Sequence, residues 1–227
     1  FRGLSSSGNL NSPELKREGM KCKFHLLEEI SSKRAAYLVI MLFAVAVYSK
    51  SFSAGFSGLD DTIIIKNLDA GTEVGFSESF RRDALLSTKG NTFYRPLQGF
   101  TYLVDYSILG VAPLPYHVTN LILHILTCMS LFYLLKMLGF DRLISFLMTI
   151  LFTVHPLFNQ AVSWIPGRGD LLIGLFGILS LITLMEYFEK RGFFRLVVHL
   201  SMFLLAVFSK ETAILFPIIY ALVYCFR

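Results

Sequence analysis

Charged residues are scarce in this sequence: they form 16% of the chain, against about 25% in an ordinary soluble domain, and the mean hydropathy is +0.60. The three cysteines, Cys22, Cys128 and Cys225, lie far apart without C-x-x-C spacing, which excludes a disulfide framework and a cysteine-based metal site. The basic residues are spread through the loops, which excludes nucleic acid as a partner. Because apolar residues make up 54% of the chain, we predict an integral membrane protein.

The apolar residues are gathered into about six segments, most of them close to the roughly 20 residues that a helix needs to cross a bilayer. They are residues 35–48 (with 49–54 as an extension), 116–138, 143–157, 170–188, 194–209 and 212–226. The sequence therefore predicts an all-α fold, a polytopic transmembrane helix bundle. We divide the chain into a polar cytoplasmic tail (1–34) and a transmembrane domain (35–227), whose long first outer loop spans 49–115.

The outer loop contains one further predicted helix, which starts at Pro96. Its apolar and polar residues separate onto two faces at helical spacing. The apolar face holds Leu97, Phe100, Val104 and Ile108, and the polar face holds Gln98, Thr101 and Asp105. Such a helix lies either on the membrane surface or against the bundle as a connecting helix.

The distribution of Lys and Arg predicts the orientation, because cytoplasmic loops carry an excess of both residues. With a cytoplasmic N-terminus, 13 of them lie inside and 8 outside, and the short loops hold five inside and two outside. A charge at the bilayer centre costs about 2.5–3.5 kcal/mol, so each ionisable residue in or near a span needs an explanation. With this orientation, most of them lie at the outer ends of the spans or in the outer loops. They are Asp60, Asp61, Arg95, His117, His155, Arg168, Asp170, Lys210 and Glu211. This one-sided clustering predicts a functional site on the extracytoplasmic face.

Each part of this cluster has two interpretations. His117, Asn120 and His124 share one helix face and form either a hydrogen-bonded stripe between helices or the wall of a cavity. The adjacent Asp60 and Asp61 point in different directions on an extended chain, so one of them can act as a base, or the pair forms a turn.

The cationic residues of the cluster are suited to phosphate. Arg168 stands between two glycines with room for a bulky anion, and Lys210 and the histidines add positive charge on the same side. The alternatives are that Asp170 caps a helix, and that Lys210 and Glu211 form a neutralised pair at an interface.

These residues also form six short motifs: Asp60-Asp61, Tyr94-Arg95-Pro96-Leu97, Tyr116-His117-x-x-Asn120-x-x-x-His124, His155-Pro156, Gly167-Arg168-x-Asp170-Leu171-Leu172 and Ser209-Lys210-Glu211-Thr212. In order and spacing they resemble the membrane half of the transmembrane and tetratricopeptide-repeat O-mannosyltransferases and their bacterial relatives, which are GT-C glycosyltransferases. The resemblance runs from about Leu59 to Pro217.

The resemblance implies a role for each matching residue. Asp60, with Asp61 beside it, corresponds to the acidic residue of the first outer loop, which acts as the base or orients the acceptor. The donor is a sugar on a polyprenyl phosphate, and no other cofactor or metal is implied. Its phosphate would be held by Arg95, His155, Arg168 and Lys210, and His117, Asn120, His124 and Glu211 would line the cavity.

The sequence also departs from the family pattern. Family members often have Glu a few residues after the His-Pro pair, where this chain has Gln160. The family has roughly twice as many spans, followed by the repeats, so we expect a missing C-terminal half and an inactive isolated fragment.

The leading hypothesis is an extracytoplasmic glycosyltransferase, or its N-terminal part, which moves a mannose-like sugar onto a protein or glycan acceptor. It would lie among membrane lipid in a bacterial inner membrane or in the endoplasmic reticulum. The rivals are a transporter or flippase, which inverted repeats would support, and a non-catalytic scaffold fragment.

The predicted orientation can be tested by thiol labelling in a background without native cysteines. Ser77→Cys, in the outer loop, is expected to react with an impermeant reagent outside intact cells, and Gly139→Cys, in an inner connection, is expected to be protected. Labelling of Gly139→Cys alone would contradict the topology.

Overall fold

The structure, a computed structural model, describes residues 33–69, 79–82, 84–86 and 93–225. Regular secondary structure in this part of the chain is entirely helical. The predicted tail, apart from its last two residues, lies outside the described residues, as do Cys22 and Ser77. The α-helices are α1 (Lys33–Tyr48), α2 (Asp60–Asp69), α3 (Pro96–Leu109), α4 (Pro113–Met137), α5 (Arg142–Val154), α6 (Asn159–Ser163), α7 (Arg168–Lys190), α8 (Phe193–Ser209) and α9 (Phe216–Cys225). Short 3-10 turns cover Ser49–Ser53, Pro156–Phe158, Ile165–Gly167 and Glu211–Leu215.

The predicted all-α membrane bundle is confirmed. Within the described residues, three helical segments are long and apolar enough to cross a membrane, namely Arg34–Ser53, Pro113–Met137 and Ile165–Lys190. A fourth span results if α5 and the following segment, bent by 46° against it, count as one. Two further apolar segments, Phe193–Ser209 and Glu211–Cys225, are shorter than these candidate spans. These helices coincide with the six apolar segments read from the sequence.

The first helix shows how the bundle packs. Its buried residues Ala36, Ile40, Ala44 and Tyr48 recur every four positions, and the helix packs against α4, α5 and α6. The two alanines allow close approach of the helix backbones, as small residues do in membrane bundles. On the opposite face, Leu38 is 53% exposed, as expected for a side chain that faces lipid.

The interior also contains a polar cluster of three residues, Ser180, His199 and Tyr220. The His199 Nδ1 atom on α8 lies 2.9 Å from the Ser180 carbonyl oxygen on α7 and 3.0 Å from its hydroxyl. The Tyr220 hydroxyl on α9 donates to the Ser180 hydroxyl at 2.8 Å. In lipid the hydrophobic effect does not drive helices together, and hydrogen bonds of this kind join them instead.

The helix predicted after Pro96 is present as α3, and it packs against α4, α7 and α8. It does so with its polar face: Gln98 and Asp105 are buried, whereas Val104 is 42% and Ile108 62% exposed. The connecting-helix interpretation therefore holds. The apolar face points outward, which is the favourable direction when the surroundings are lipid.

Candidate active site

A cleft of about 710 Å³ opens between two segments that the sequence motifs mark. One wall is the chain from Ala54 to Asp61, and the other runs from Pro156 to Trp164. We call residues 156–166, which include the adjoining Ile165 and Pro166, the second wall. The side chains of Asp61, Asn159, Gln160, Ser163 and Trp164 line it. The volume lies within the range of about 300–1,000 Å³ that is usual for small-ligand sites.

Asp61 is fixed at the first wall. Its Oδ2 accepts a hydrogen bond from the Ser57 backbone N–H at 2.7 Å, and its Oδ1 accepts one from the Ser57 hydroxyl at 2.5 Å. The side chain is 2% exposed, whereas Asp60 is half-buried.

The extended conformation predicted at Asp60 and Asp61 is wrong, because both residues form the first turn of α2. Negative charge is favoured there by the partial positive charge of a helix N-terminus. Of the two carboxylates, Asp61 lines the cleft.

The second wall has an irregular backbone whose carbonyl groups are bound by buried side chains. Asn120 Nδ2 donates to the carbonyls of residues 162 and 164 at 3.3 and 3.2 Å. The Tyr102 hydroxyl donates to the carbonyl of residue 165 at 3.3 Å, and Gln98 Nε2 donates to that of residue 166 at 3.0 Å. Buried carbonyls outside regular helices need such partners. The wall is therefore held in one conformation by α3 and α4.

Gly167 lies directly behind this wall. A Cβ atom at this position would stand 2.7 Å from the Gln160 carbonyl oxygen and 2.8 Å from the Ala161 Cα atom. Both neighbours are backbone atoms, which cannot rotate away. Only glycine allows α7 to begin this close to α6.

Arg168 connects the wall to the rest of the bundle and is completely buried. Its Nη1 pairs with Asp105 Oδ2 at 2.5 Å and also donates to the Thr101 hydroxyl at 3.3 Å. Its Nε donates to Asn120 Oδ1 at 2.8 Å, and its Nη2 donates to the Tyr116 carbonyl at 2.9 Å. These contacts join α3, α4 and α7. We call Arg168, Asp105 and Asn120 the arginine hub.

Burial changes the pKa of two side chains of α3 beside this hub. It raises the pKa of the Asp105 carboxyl, while the Arg168 guanidinium and the Thr119 hydroxyl, 2.6 Å away, act in the opposite direction. Burial also raises the pKa of Tyr102 to about 12. Tyr102 therefore stays protonated at neutral pH and keeps the hydrogen that it donates to the wall.

The space predicted beside Arg168 for a bulky anion is absent, and that part of the prediction was wrong. The protein itself fills it on both sides: Gly167 contacts the α6 backbone, and a Cβ atom at Gly169 would lie 2.7 Å from Gln98 Oε1. Each guanidinium nitrogen already has a partner. Phosphate binding by Arg168 stays a prediction, and it would require the Asp105 pair to open.

Two other predicted cations meet near the start of α7, each with a carboxylate. Arg95 binds Glu211 through two parallel hydrogen bonds of 2.9 and 2.7 Å, although the residues are 116 positions apart. The hydrogen bonds from Arg95 lower the pKa of Glu211. Lys210 pairs with Asp170. Lys210 and Glu211 are thus neutralised by these partners.

The predicted histidines have three different surroundings. His155 is exposed, and its Nδ1 accepts a hydrogen bond of 3.2 Å from the Leu157 N–H at the start of the second wall. His117 is buried beside the backbone of Ala54 and Gly55, behind the first wall.

His124 lies deeper in the bundle, with Nε2 3.1 Å from the Thr153 carbonyl. It lines a second, apolar cavity of about 320 Å³ between α4, α7 and α9. Across the described residues, no three His, Cys, Asp or Glu side chains lie close enough together to hold a metal ion.

The arginine hub predicts a large difference between two ion pairs. Asp105→Ala leaves the buried Arg168 without a counter-ion, and losing one partner of a buried pair typically costs about 3–5 kcal/mol. Lys210→Ala removes one partner of an exposed pair, which is worth at most about 1 kcal/mol. Unfolding free energies in bicelles compare the two variants directly. Equal losses would show that the hub does not stabilise the fold.

The sequence is similar to named proteins over most of its length. It is 31% identical to Protein O-mannosyl-transferase TMTC2 of Homo sapiens over 162 residues, which are 70% of this chain and 19% of that protein. It is 34% identical to Protein O-mannosyl-transferase F38B6.6 of Caenorhabditis elegans over 143 residues, 62% of this chain and 20% of that protein. It is 28% identical to Protein O-mannosyl-transferase TMTC4 of Mus musculus over 186 residues, 74% of this chain and 25% of that protein.

The chain spans 19–25% of the length of these relatives. No family profile and no solved structure matches it. The matched relatives carry one shared description, and the helices described above include several that can cross a membrane. This chain is therefore an integral membrane protein that belongs to the protein O-mannosyl-transferase family.

Proposed function

We propose that the chain contributes the site of sugar transfer in a GT-C-type glycosyltransferase. The donor is a mannose-like sugar on a polyprenyl phosphate, and the acceptor is a hydroxyl group of a protein or glycan on the extracytoplasmic face. The observation that carries the proposal is a buried carboxylate, Asp61, held by two hydrogen bonds in a cleft large enough for a small ligand. The names of the relatives supply the class of sugar.

In this mechanism the acceptor oxygen forms a bond to C1 of the sugar. The bond between C1 and the phosphate oxygen breaks, and the phosphate keeps the electron pair. Asp61 accepts the proton of the acceptor hydroxyl, as a general base does. The products are the glycoside and the polyprenyl monophosphate, so that no further reactant is required.

The leaving phosphate needs positive charge on the same side of the membrane. His155 is exposed at the start of the second wall and is the candidate that lies next to the cleft. Arg95 and Lys210 would contact the phosphate by exchanging their carboxylate partners for it. Arg168 acts here through the hub, by holding the second wall in position.

The fixed second wall also separates this proposal from its rivals. Alternating access in a transporter requires one part of the bundle to move around the cargo site. A wall whose carbonyls are bound by Gln98, Tyr102 and Asn120 suits a reaction instead, because a displacement of about 1 Å can cost about 10²-fold in rate. A scaffold fragment would need no fixed carboxylate in a cleft.

The test is sugar transfer from a lipid-linked donor in membranes that contain the chain together with the segment corresponding to the rest of its relatives. Asp61→Asn keeps the shape of the side chain and removes its basicity, so the rate is expected to fall about 10²–10⁴-fold. Asp60→Asn is expected to cost less, the reverse of the order predicted from sequence.

Asp69→Asn is the matched control, since Asp69 ends the same helix and is exposed. Wild-type transfer by Asp61→Asn at normal protein levels would refute the proposal.

A further inference from the structure

The second wall of the cleft contains the one tryptophan of the chain, Trp164. Its side chain is half-buried, and its indole nitrogen is fully shielded from solvent without a hydrogen-bond partner among the described residues. A shielded N–H group without a partner is unfavourable, so hydrogen bonding of the indole does not explain why Trp164 stands in this wall. Trp164 was not among the residues predicted from the sequence.

The neighbours of Trp164 on this wall are polar but uncharged. Asn159 and Gln160 each carry an amide, which both donates and accepts hydrogen bonds, and the Ser163 hydroxyl donates to Asn159 Oδ1 at 3.0 Å. Hydroxyl groups of a ligand have the same dual character. Among the described residues that line the cleft, Asp61 is the one charged side chain, so the lining suits the uncharged sugar, and the phosphate of a donor would lie outside it.

This combination selects one class of ligand. A pyranose ring is neutral, presents C–H groups on its faces, and carries hydroxyls around its edge. The flat indole matches a ring face, and the amide and hydroxyl groups beside it match the hydroxyls. We propose that Trp164, with Asn159, Gln160 and Ser163, forms the hexopyranose-binding wall of the cleft, opposite Asp61.

The backbone of this wall is held in one conformation before a ligand binds. Asn120 binds the carbonyl of Trp164 itself, and Arg168 in turn holds the Asn120 amide oxygen. Gly167 brings α7 against the back of the wall. A ligand that binds a preformed wall loses little affinity to ordering the protein.

The identity of the sugar as mannose rests on the proposed function, whereas the wall itself does not. The sugar has two possible sources, the lipid-linked donor and a glycosylated acceptor. The competing role for Trp164 is that of an interfacial anchor, because tryptophan is enriched at membrane surfaces. The experiment must therefore separate sugar from lipid.

Trp164 fluorescence in the 227-residue chain, reconstituted in nanodiscs, reports on the cleft without a label. Methyl α-mannopyranoside is expected to change it saturably, and polyprenyl-phosphate mannose in the disc is expected to do so at lower concentration if the donor is the source. If a mannosylated peptide binds more tightly than the lipid-linked donor, the acceptor is the source of the sugar. Polyprenyl phosphate without sugar and the unglycosylated peptide are expected to have no effect.

Variants test whether the sugar response comes from the second wall. Gln160→Ala is expected to weaken sugar binding about tenfold or more, as loss of a ligand hydrogen bond does, and Ser201→Ala, on the exposed face of α8, is expected to leave it unchanged. Saturation-transfer NMR with the methyl glycoside extends the comparison to Trp164→Ala, which is expected to lose the signal.

Absence of a saturable response to every sugar ligand would overturn the proposal. An equal response to sugar-free polyprenyl phosphate would also overturn it and identify Trp164 as an anchor. Unchanged sugar binding in Gln160→Ala and Trp164→Ala would overturn it as well. None of these outcomes decides whether Asp61 acts as a base, since binding requires no transfer.

Discussion

The relative positions of three helices depend on one buried ion pair, Arg168 with Asp105. A guanidinium is expensive to bury, and it is tolerated only where a counter-ion and hydrogen-bond acceptors surround it. Here Asp105 supplies the charge, and Asn120, Thr101 and the Tyr116 carbonyl supply the acceptors. Because these partners come from different helices, satisfying the charge sets the positions of α3, α4 and α7 relative to each other.

The arginine hub also determines the position of the second wall of the cleft. Its irregular backbone has carbonyls that no regular helix would satisfy, and Asn120 and residues of α3 bind them. Asn120 thus contacts both the hub and the wall. The first wall is determined separately, by the helix start at Asp60 and the hydrogen bonds between Ser57 and Asp61. Sugar transfer would take place between a wall set by the hub and a carboxylate set by local structure.

The sequence predicts the helices of the bundle because a lipid-facing helix must be apolar along its length, whatever its neighbours are. It also predicts a cluster of ionisable residues, of which Arg95 with Glu211 and Lys210 with Asp170 form two ion pairs. The ion pairs were harder to predict. Arg168 was expected to contact a ligand, but its partner is Asp105 on α3. The apolar face of this helix is the exposed one. The signal was available in the polar stripe Gln98, Thr101 and Asp105, which in a membrane protein indicates the buried side.

Two other differences have local causes. Adjacent aspartates are compatible with a turn, an extended chain or a first helical turn, and here the contact with Ser57 accompanies a helix start at Asp60. Trp164 follows an apolar run and resembles an interfacial residue, and its place in the cleft depends on the bend of 46° after α5.

The most direct test of the account is hydrogen exchange of the second wall when the hub is broken. Asp105→Asn keeps the size of the side chain and removes the counter-ion of Arg168. If the hub holds the wall, amides of residues 156–167 will exchange on the order of tenfold faster, while those of α8 keep their protection, because local opening is confined to the released segment. Unchanged exchange in residues 156–167, with the variant folded, would contradict the claim that the buried ion pair positions the cleft.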